Sequence, residues 1–331
     1  MMEASTEKTI KPDLTKCGQL ARYIITAPLG DTHLYPVYLA KLQDSDETFV
    51  VKMMDMEDES FANECKIFDL PSHRHIIRLK ERLIEVPVEI GSELALANSL
   101  KATNLESPKN AIVMEFVENG DLFNYLVQGP LPEKIARYFF EQILEAVEHL
   151  HSNGFCHLDL KLENILLDKD FCIKLTDFGF AAQVEKDTPL YKRVGTPSCR
   201  PPEMWKIGTD YLGYDGCKAD IFQLGNLLFT LVAGTPAFME AHTNDFWFKP
   251  ILADRWDVFW NFKERAGKTR KQGSKVYDPD FKQLISEILN ANETKRPTID
   301  AIRKSAWYTK VEPATALEVA EEMKKRKEQT R

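Results

Sequence analysis

Cysteine is sparse and scattered: six residues among 331, at positions 17, 65, 156, 172, 199 and 217, with no C-x-x-C pair. That spacing excludes a zinc ribbon and a disulfide framework, and fits reduced thiols in a cytoplasmic protein, with the nucleus also open. Positive charge is also in short supply. The 43 Lys and Arg against 51 Asp and Glu leave a net charge of −8, so electrostatics makes no case for a nucleic-acid or membrane partner. Basic peptides would suit this sign better. Long apolar runs are missing too, since the longest, around Leu224–Val232, is too short and interrupted to span a bilayer. The opening Met-Met-Glu-Ala-Ser lacks an apolar signal region and the Gly that myristoylation requires. No internal repeat or low-complexity tract is present. What remains is 44% hydrophobic and 28% charged, ordinary for a globular protein with a sizeable core. The length suggests about two domains or lobes.

Strand-like segments alternate with turns early in the chain, at Tyr23–Ile25, Pro36–Ala40 and Phe49–Val51. A helical spacing over Ser60–Leu70 places Phe61, Cys65, Ile67 and Phe68 together. Ile76–Leu79, Leu83–Val86 and Ala111–Val117 return to strand, and Glu118-Asn119-Gly120 reads as a hinge. Pro87–Asn110 is longer than a hairpin needs and reads as an insert. Beyond the hinge the period becomes helical. Leu131–His151 puts Ile135, Phe139, Ile143, Val147 and Leu150 on one stripe, opening at Pro132-Glu133 and stopping at Asn153-Gly154. Ala219–Ala233 and Asp280–Asn290 are further helices. Pro313–Arg331 is polar all round and ends in Lys324-Lys325-Arg326-Lys327, which predicts a solvated helix or frayed tail.

The most informative stretch is His157-Leu158-Asp159-Leu160-Lys161-Leu162-Glu163-Asn164, followed by Asp177-Phe178-Gly179. Two short strands, Ile165–Leu167 and Cys172–Thr176, flank the turn that separates them. Asp159 can accept a hydroxyl proton and Lys161 can neutralise a phosphoryl group in flight. Asn164 and Asp177 supply hard oxygen ligands of the kind Mg²⁺ takes. This stretch resembles the catalytic and metal-binding loops of eukaryotic protein kinases, in the strand context that the motif demands. The resemblance implies an α+β, bilobal fold: a small antiparallel sheet plus one helix, a hinge and a larger, mostly helical lobe. It also implies ATP and Mg²⁺ as cofactors and protein substrates with Ser or Thr acceptors.

Other motifs extend the likeness over nearly the whole chain. Lys52, closing Phe49-Val50-Val51-Lys52, stands where the family holds the α- and β-phosphates, and Glu64 on the next helix is its matching acid. Glu57 and Glu59 are alternatives. Glu64 is preferred because, counting on from it, Phe68 and Leu79 fall where the family stacks apolar residues onto Phe178 and His157. The glycine-rich loop keeps only its first glycine, Gly30, with Thr32 and Tyr35 in place of the second and third. The resemblance assigns the nucleotide to Leu29, Gly30, Val37, Val50, Lys52, Met114, Glu115, Val117, Asp121, Leu166 and Thr176. Lys161 and Thr196 place the chain in the serine/threonine branch, with Thr196 also at the substrate. Glu203 of Arg200-Pro201-Pro202-Glu203 should pair with Arg296, and Asp220 should brace the catalytic loop. Phe259–Phe262 and Ala306–Tyr308 look like the calcium/calmodulin-dependent-kinase-like branch.

Two departures matter. The family commonly has Arg before the catalytic Asp, to bind a phosphate on the activation segment. Here that residue is Leu158, and the phosphoacceptor neighbourhood, Lys192-Arg193-Val194, has no hydroxyl. Both halves of the switch are missing together, which predicts activity independent of phosphorylation there; Thr188 and Tyr191 remain as hydroxyls nearby. The degraded glycine loop raises the alternative of a pseudokinase scaffold. Asp121 and Glu163 resemble acids that recognise Arg ahead of the target residue, and Asp121 equally suits the nucleotide ribose. The expected organisation is an arm at 1–19, a kinase domain at 20–309 (N-lobe 20–114, hinge 115–120, C-lobe 121–309) and a charged tail at 310–331.

Overall fold

The computed structural model describes residues 18–29, 35–89, 107–207, 213–269 and 276–329. The glycine-loop residues Gly30 and Thr32, most of the expected arm and residues 90–106 of the insert lie outside the described residues. The chain divides into two compact units, one of residues 1–65 and 78–116, the other of residues 66–77 and 117–331.

In the first unit, seven strands form one sheet: β1 (Gly18–Leu20), β2 (Tyr23–Pro28), β3 (Val37–Leu42), β4 (Thr48–Met54), β5 (Leu79–Val86), β6 (Val88–Glu89) and β7 (Lys109–Glu115). Their spatial order is β5-β7-β4-β3-β2-β1-β6, and every described pairing is antiparallel. Alternation sorts the side chains. Tyr38, Ala40, Phe49, Val51, Met53, Ala111 and Val113 are buried in one cluster. The register pairs Val37 with Lys52 and Leu39 with Val50 across β3 and β4, and Val50 with Met114 across β4 and β7. Val37, Val50, Lys52 and Met114 therefore share the other face. The helix α1 (Glu59–Phe68) follows β4, and the Asp58 carboxylate accepts from the Ser60 N–H at its start, 2.8 Å away.

The second unit is mostly helical. The stripe read from the sequence is buried in α3 (Glu133–Ser152), where Phe139, Ile143, Val147 and Leu150 are all inaccessible; α2 is the short helix Leu122–Leu126. The next long helix, α4 (Gly216–Ala233), is buried nearly all round, which marks it as the centre of this unit. Asp215 caps its start by accepting from the Lys218 N–H, and Gly234 ends it in the left-handed region. Strands β8 (Phe155–Cys156) and β11 (Ala182–Gln183) pair with each other, as do β9 (Ile165–Leu167) and β10 (Ile173–Leu175). This is the two-part α+β architecture that the sequence led us to expect.

Two local expectations fail. Ile76–Arg78 is not part of a strand: Ile76 makes an isolated bridge to Leu175, and the Ile77 N–H donates to the Leu175 carbonyl at 2.9 Å. The segment follows the edge of β10 first, and the strand begins only at Leu79. The C-terminal segment takes the helical one of its two expected forms, but it is not solvated all round. Helix α5 (Ala316–Gln329) buries Val319, Met323 and Arg326, because its few apolar residues at i and i+4 share one stripe with the arginine. Among the described residues no helix is long and apolar enough to cross a membrane.

Candidate functional site

Lys52 and Glu64 meet within the first unit. Both are buried and form an ion pair, the alternatives Glu57 and Glu59 being exposed. A buried cation and carboxylate are tolerable only when each satisfies the other, so this pair fixes the direction of both side chains. Tyr35 adds a contact that sequence reasoning missed. Its ring lies under the Lys52 ammonium, 4.9 Å to the centroid, and its hydroxyl is 2.7 Å from Ser60 Oγ at the start of α1. The residue that replaces a glycine thus braces the lysine by a cation–π contact. On the same sheet face Val37 and Val50 are half-buried and Met114 is buried. The Leu29 N–H donates to the Val37 carbonyl at 2.8 Å. The Glu115 carboxylate accepts from the Arg78 N–H at 2.9 Å, so this side chain is engaged beside the strand end.

The second unit gathers the other set. Asp159 is 1% exposed. Its carboxylate accepts from the Thr196 N–H at 2.6 Å, from Lys161 Nζ at 2.9 Å and from Asn164 Nδ2 at 3.3 Å. Lys161 Nζ also donates to Thr196 Oγ1 at 2.7 Å, closing a ring of three residues, Asp159, Lys161 and Thr196, to which Asn164 is attached through Asp159. Burial alone would lower the Lys161 ammonium, but Asp159 beside it outweighs that and holds it above the ordinary lysine range. Asn164 is pinned by Nδ2 donating to the Asp159 carbonyl at 2.9 Å, while its own carbonyl accepts from the Thr176 N–H at 3.0 Å. Asp177 sits at φ 64°, a left-handed turn position that re-aims the chain directly after Thr176.

The loop that carries these groups is clamped from α4. Asp220, fully buried, accepts from the His157 and Leu158 N–H groups at 2.8 Å each, as expected. Gln223 does the same work one turn on, accepting from the Leu160 N–H at 2.8 Å and donating to the Leu158 carbonyl at 2.9 Å. The sequence offered a signal for Gln223, which lies three residues past Asp220 and hence on the same helix face, but no role was assigned to it. His151 donates to Asp220 at 2.8 Å; burial pulls its pKa down, the hydrogen bonds and charges of Asp220 and Cys217 together more than reverse this, and the imidazole is raised to about 10. Gly195 has φ +74°, and a Cβ there would lie 2.3 Å from the Leu158 carbonyl oxygen. Only glycine lets the activation segment come this close to the loop.

Phe178 is fully buried, with Phe68 edge-on at 6.0 Å and His157 at 5.2 Å. Glu203 and Arg296 form the expected bidentate pair, both bonds 2.6 Å long. Leu158 is 1% exposed in an apolar cluster with Cys156, Met204, Tyr214 and Ala219, against which Leu190 and Val194 of the activation segment pack. Cys199 is an inert thiol, pushed up to about 12 by burial. Asp121 caps α2 by accepting from the Asn124 N–H at 3.0 Å, Leu166 bridges to it, and Glu163 is exposed. Arg193 and Arg200 spend their guanidinium groups on the carbonyls of Met204, Ile207, Val194 and Gly195. Beside Thr196 lies a cavity of about 470 Å³ lined by Pro197, Ser198, Met239, Glu240, His242, Asn244 and Asp245.

Comparison with known proteins matches the family described as protein kinase domain over residues 23–308. The chain belongs to the protein kinase family. Among its relatives, CBL-interacting serine/threonine-protein kinase 15 of Arabidopsis thaliana is 30% identical over 301 residues, covering 88% of this chain and 62% of that protein. CBL-interacting serine/threonine-protein kinase 5 of the same plant is 31% identical over 300 residues, covering 87% and 58%. CBL-interacting protein kinase 2 of Oryza sativa subsp. japonica is 29% identical over 301 residues, covering 88% and 59%. The chain thus spans about three fifths of the length of the curated relatives it matches.

Proposed function

We propose that the protein transfers the γ-phosphoryl group of ATP to Ser or Thr hydroxyls of protein substrates. The observation that carries this reading is the Asp159–Lys161–Thr196 ring, with Asn164 bonded to Asp159, in which a buried carboxylate is held beside a hydroxyl and an ammonium. Asp159 orients the acceptor hydroxyl and collects its proton, while Lys161 steadies the phosphoryl oxygens. Asn164 and Asp177 are the oxygen donors for Mg²⁺, a hard cation that such ligands suit. Lys52, directed by Glu64, takes the α- and β-phosphates. Gly30, Leu29, Val37, Val50, Met114, Val117, Leu166, Thr176 and the Glu115 backbone are assigned to the nucleotide. Asp121 takes the ribose or, with Glu163, a substrate arginine. The kinase domain runs over 20–309, preceded by the arm and followed by the tail segment.

The buried Lys52–Glu64 pair speaks against the scaffold alternative, because it holds an ammonium on the sheet face shared by Val37, Val50 and Met114, where phosphates would be met. The apolar packing around Leu158 supports activity without phosphorylation of the segment: Leu158 belongs to a hydrocarbon cluster against which Leu190 and Val194 pack, where a phosphate would need a guanidinium. The direct test is ligand-induced stabilisation. Mg²⁺ and ATP together should raise the melting temperature of the wild type, and Lys52→Ala and Asp177→Asn should remove the shift. No shift in the wild type would refute the assignment.

A further inference from the structure

The run Lys324-Lys325-Arg326-Lys327 has the composition of a solvated helix end, yet Arg326 is only 7% exposed. Its guanidinium reaches into the backbone beyond the hinge. Nη1 donates to the carbonyls of Tyr125 and Gly129 at 3.0 and 2.9 Å, Nη2 to that of Pro130 at 2.8 Å, and Nε to Glu322 at 2.7 Å. Tyr125 lies in the last turn of α2, where the carbonyls lack intrahelical partners and a cation is favoured. The next residue, Lys327, donates to Asn119 Oδ1 at 2.6 Å. Asn119 in turn donates from Nδ2 to the Asp168 carbonyl at 2.7 Å, and its own carbonyl accepts from the Tyr125 hydroxyl at 2.9 Å. Gln128 Nε2 completes the contact by donating to the Arg326 carbonyl at 2.6 Å. The two cations therefore grip the chain on both sides of Asp121, at Asn119 and at residues 125–130.

The rest of α5 seats this grip. Val319 and Met323 are buried, the Ala314 N–H donates to the Lys134 carbonyl at 3.1 Å, and Lys134 pairs with Glu318. A flexible tail would pay a large ordering entropy for such contacts, so the apolar stripe is what makes the arginine's position affordable. We infer that α5 is a positioning element, with Arg326 and Lys327 acting through Asn119 and the 122–130 backbone to hold Asp121 and Leu166 where the nucleotide is bound. Neither residue touches the reacting atoms. The inference rests on the kinase reading for its consequence, but the grip itself can be tested without turnover.

Arg326→Ala, Arg326→Lys and Lys327→Ala are compared by amide hydrogen exchange over residues 117–130 and by steady-state kinetics with ATP varied. Lys327 sits near the surface, so its variant leaves the fold intact even if Arg326→Ala does not. Faster exchange over 117–130 is expected, together with a KM for ATP raised roughly three- to tenfold at nearly unchanged kcat, the scale of one charge-assisted hydrogen bond felt indirectly. Arg326→Lys should recover only part of this, because an ammonium cannot span three carbonyls in a fixed fork. Unchanged exchange in Lys327→Ala and Arg326→Lys overturns the inference, as does faster exchange with an unaltered KM. A wild type that turns over no ATP overthrows the kinase assignment instead, and the exchange data still decide whether α5 holds the segment.

Discussion

Single side chains decide the chemistry here, and Tyr35 is the least expected of them. It occupies a position where the family has glycine, yet it braces Lys52 from below and ties to Ser60. Replacing it with Phe should remove the hydroxyl bond and keep the ring under the ammonium, so the KM for ATP should change by less than about twofold. Tyr35→Gly removes both, and should raise that KM several-fold, about 1 kcal/mol of lost orientation of Lys52. Titration of ATP against the initial rate checks both. Most of the proposed site residues were legible as letters, because Asp159, Lys161, Asn164 and Asp177 sit on one short stretch at fixed spacing. Tyr35 and Arg326 were not, and Gln223 carried only the signal of lying on the Asp220 face of its helix. Their partners are Lys52, the loop backbone and distant carbonyls, and no local pattern encodes contacts that only the fold creates.

Among the elements, the catalytic loop is held by α4 rather than by itself. His151 is protonated against Asp220, so the linkage has a definite sign. Its folded pKa near 10 lies above the ordinary histidine value near 6.5, and its contribution is fully present below about pH 6.5 and is lost as pH rises toward 10. The melting temperature should therefore fall across that window in the wild type and fall less steeply in His151→Gln. The activation segment depends on hydrocarbon in the same region. Phosphatase treatment should leave turnover within about twofold, whereas Leu158→Arg should be destabilising because it buries an unpaired guanidinium among Leu190, Val194 and Met204. Phospho-specific mass spectrometry alongside the rate measurement checks the first, and thermal unfolding the second. Helices with long apolar stripes, such as α3, were readable from periodicity alone. The buried face of helix α5 was missed because two apolar residues and one arginine carry it, a stripe too thin to stand out from the charges around it.

For the whole molecule, the length suggested about two lobes and the period turned helical past Gly120, but the α+β, bilobal fold came from the resemblance of the motifs. Of the boundaries between units 1–65 with 78–116 and 66–77 with 117–331, the one after Cys65 was not readable, since it falls inside α1, where the helical pattern runs on unbroken. The structural pair Glu203–Arg296 joins residues far apart in sequence, and breaking it by Glu203→Gln should cost about 3–5 kcal/mol by stranding a buried cation. Chemical denaturation would show this as a lower midpoint at unchanged slope. The measurement that bears most directly on the account is transfer of label from γ-labelled ATP to a Ser/Thr peptide by the wild type and by Asp159→Asn, at matched Mg²⁺ and saturating ATP. The wild type should transfer label and the variant should lose at least about a hundredfold of the rate while still binding ATP. Equal rates, or no transfer by a wild type that binds Mg²⁺ and ATP, would contradict it.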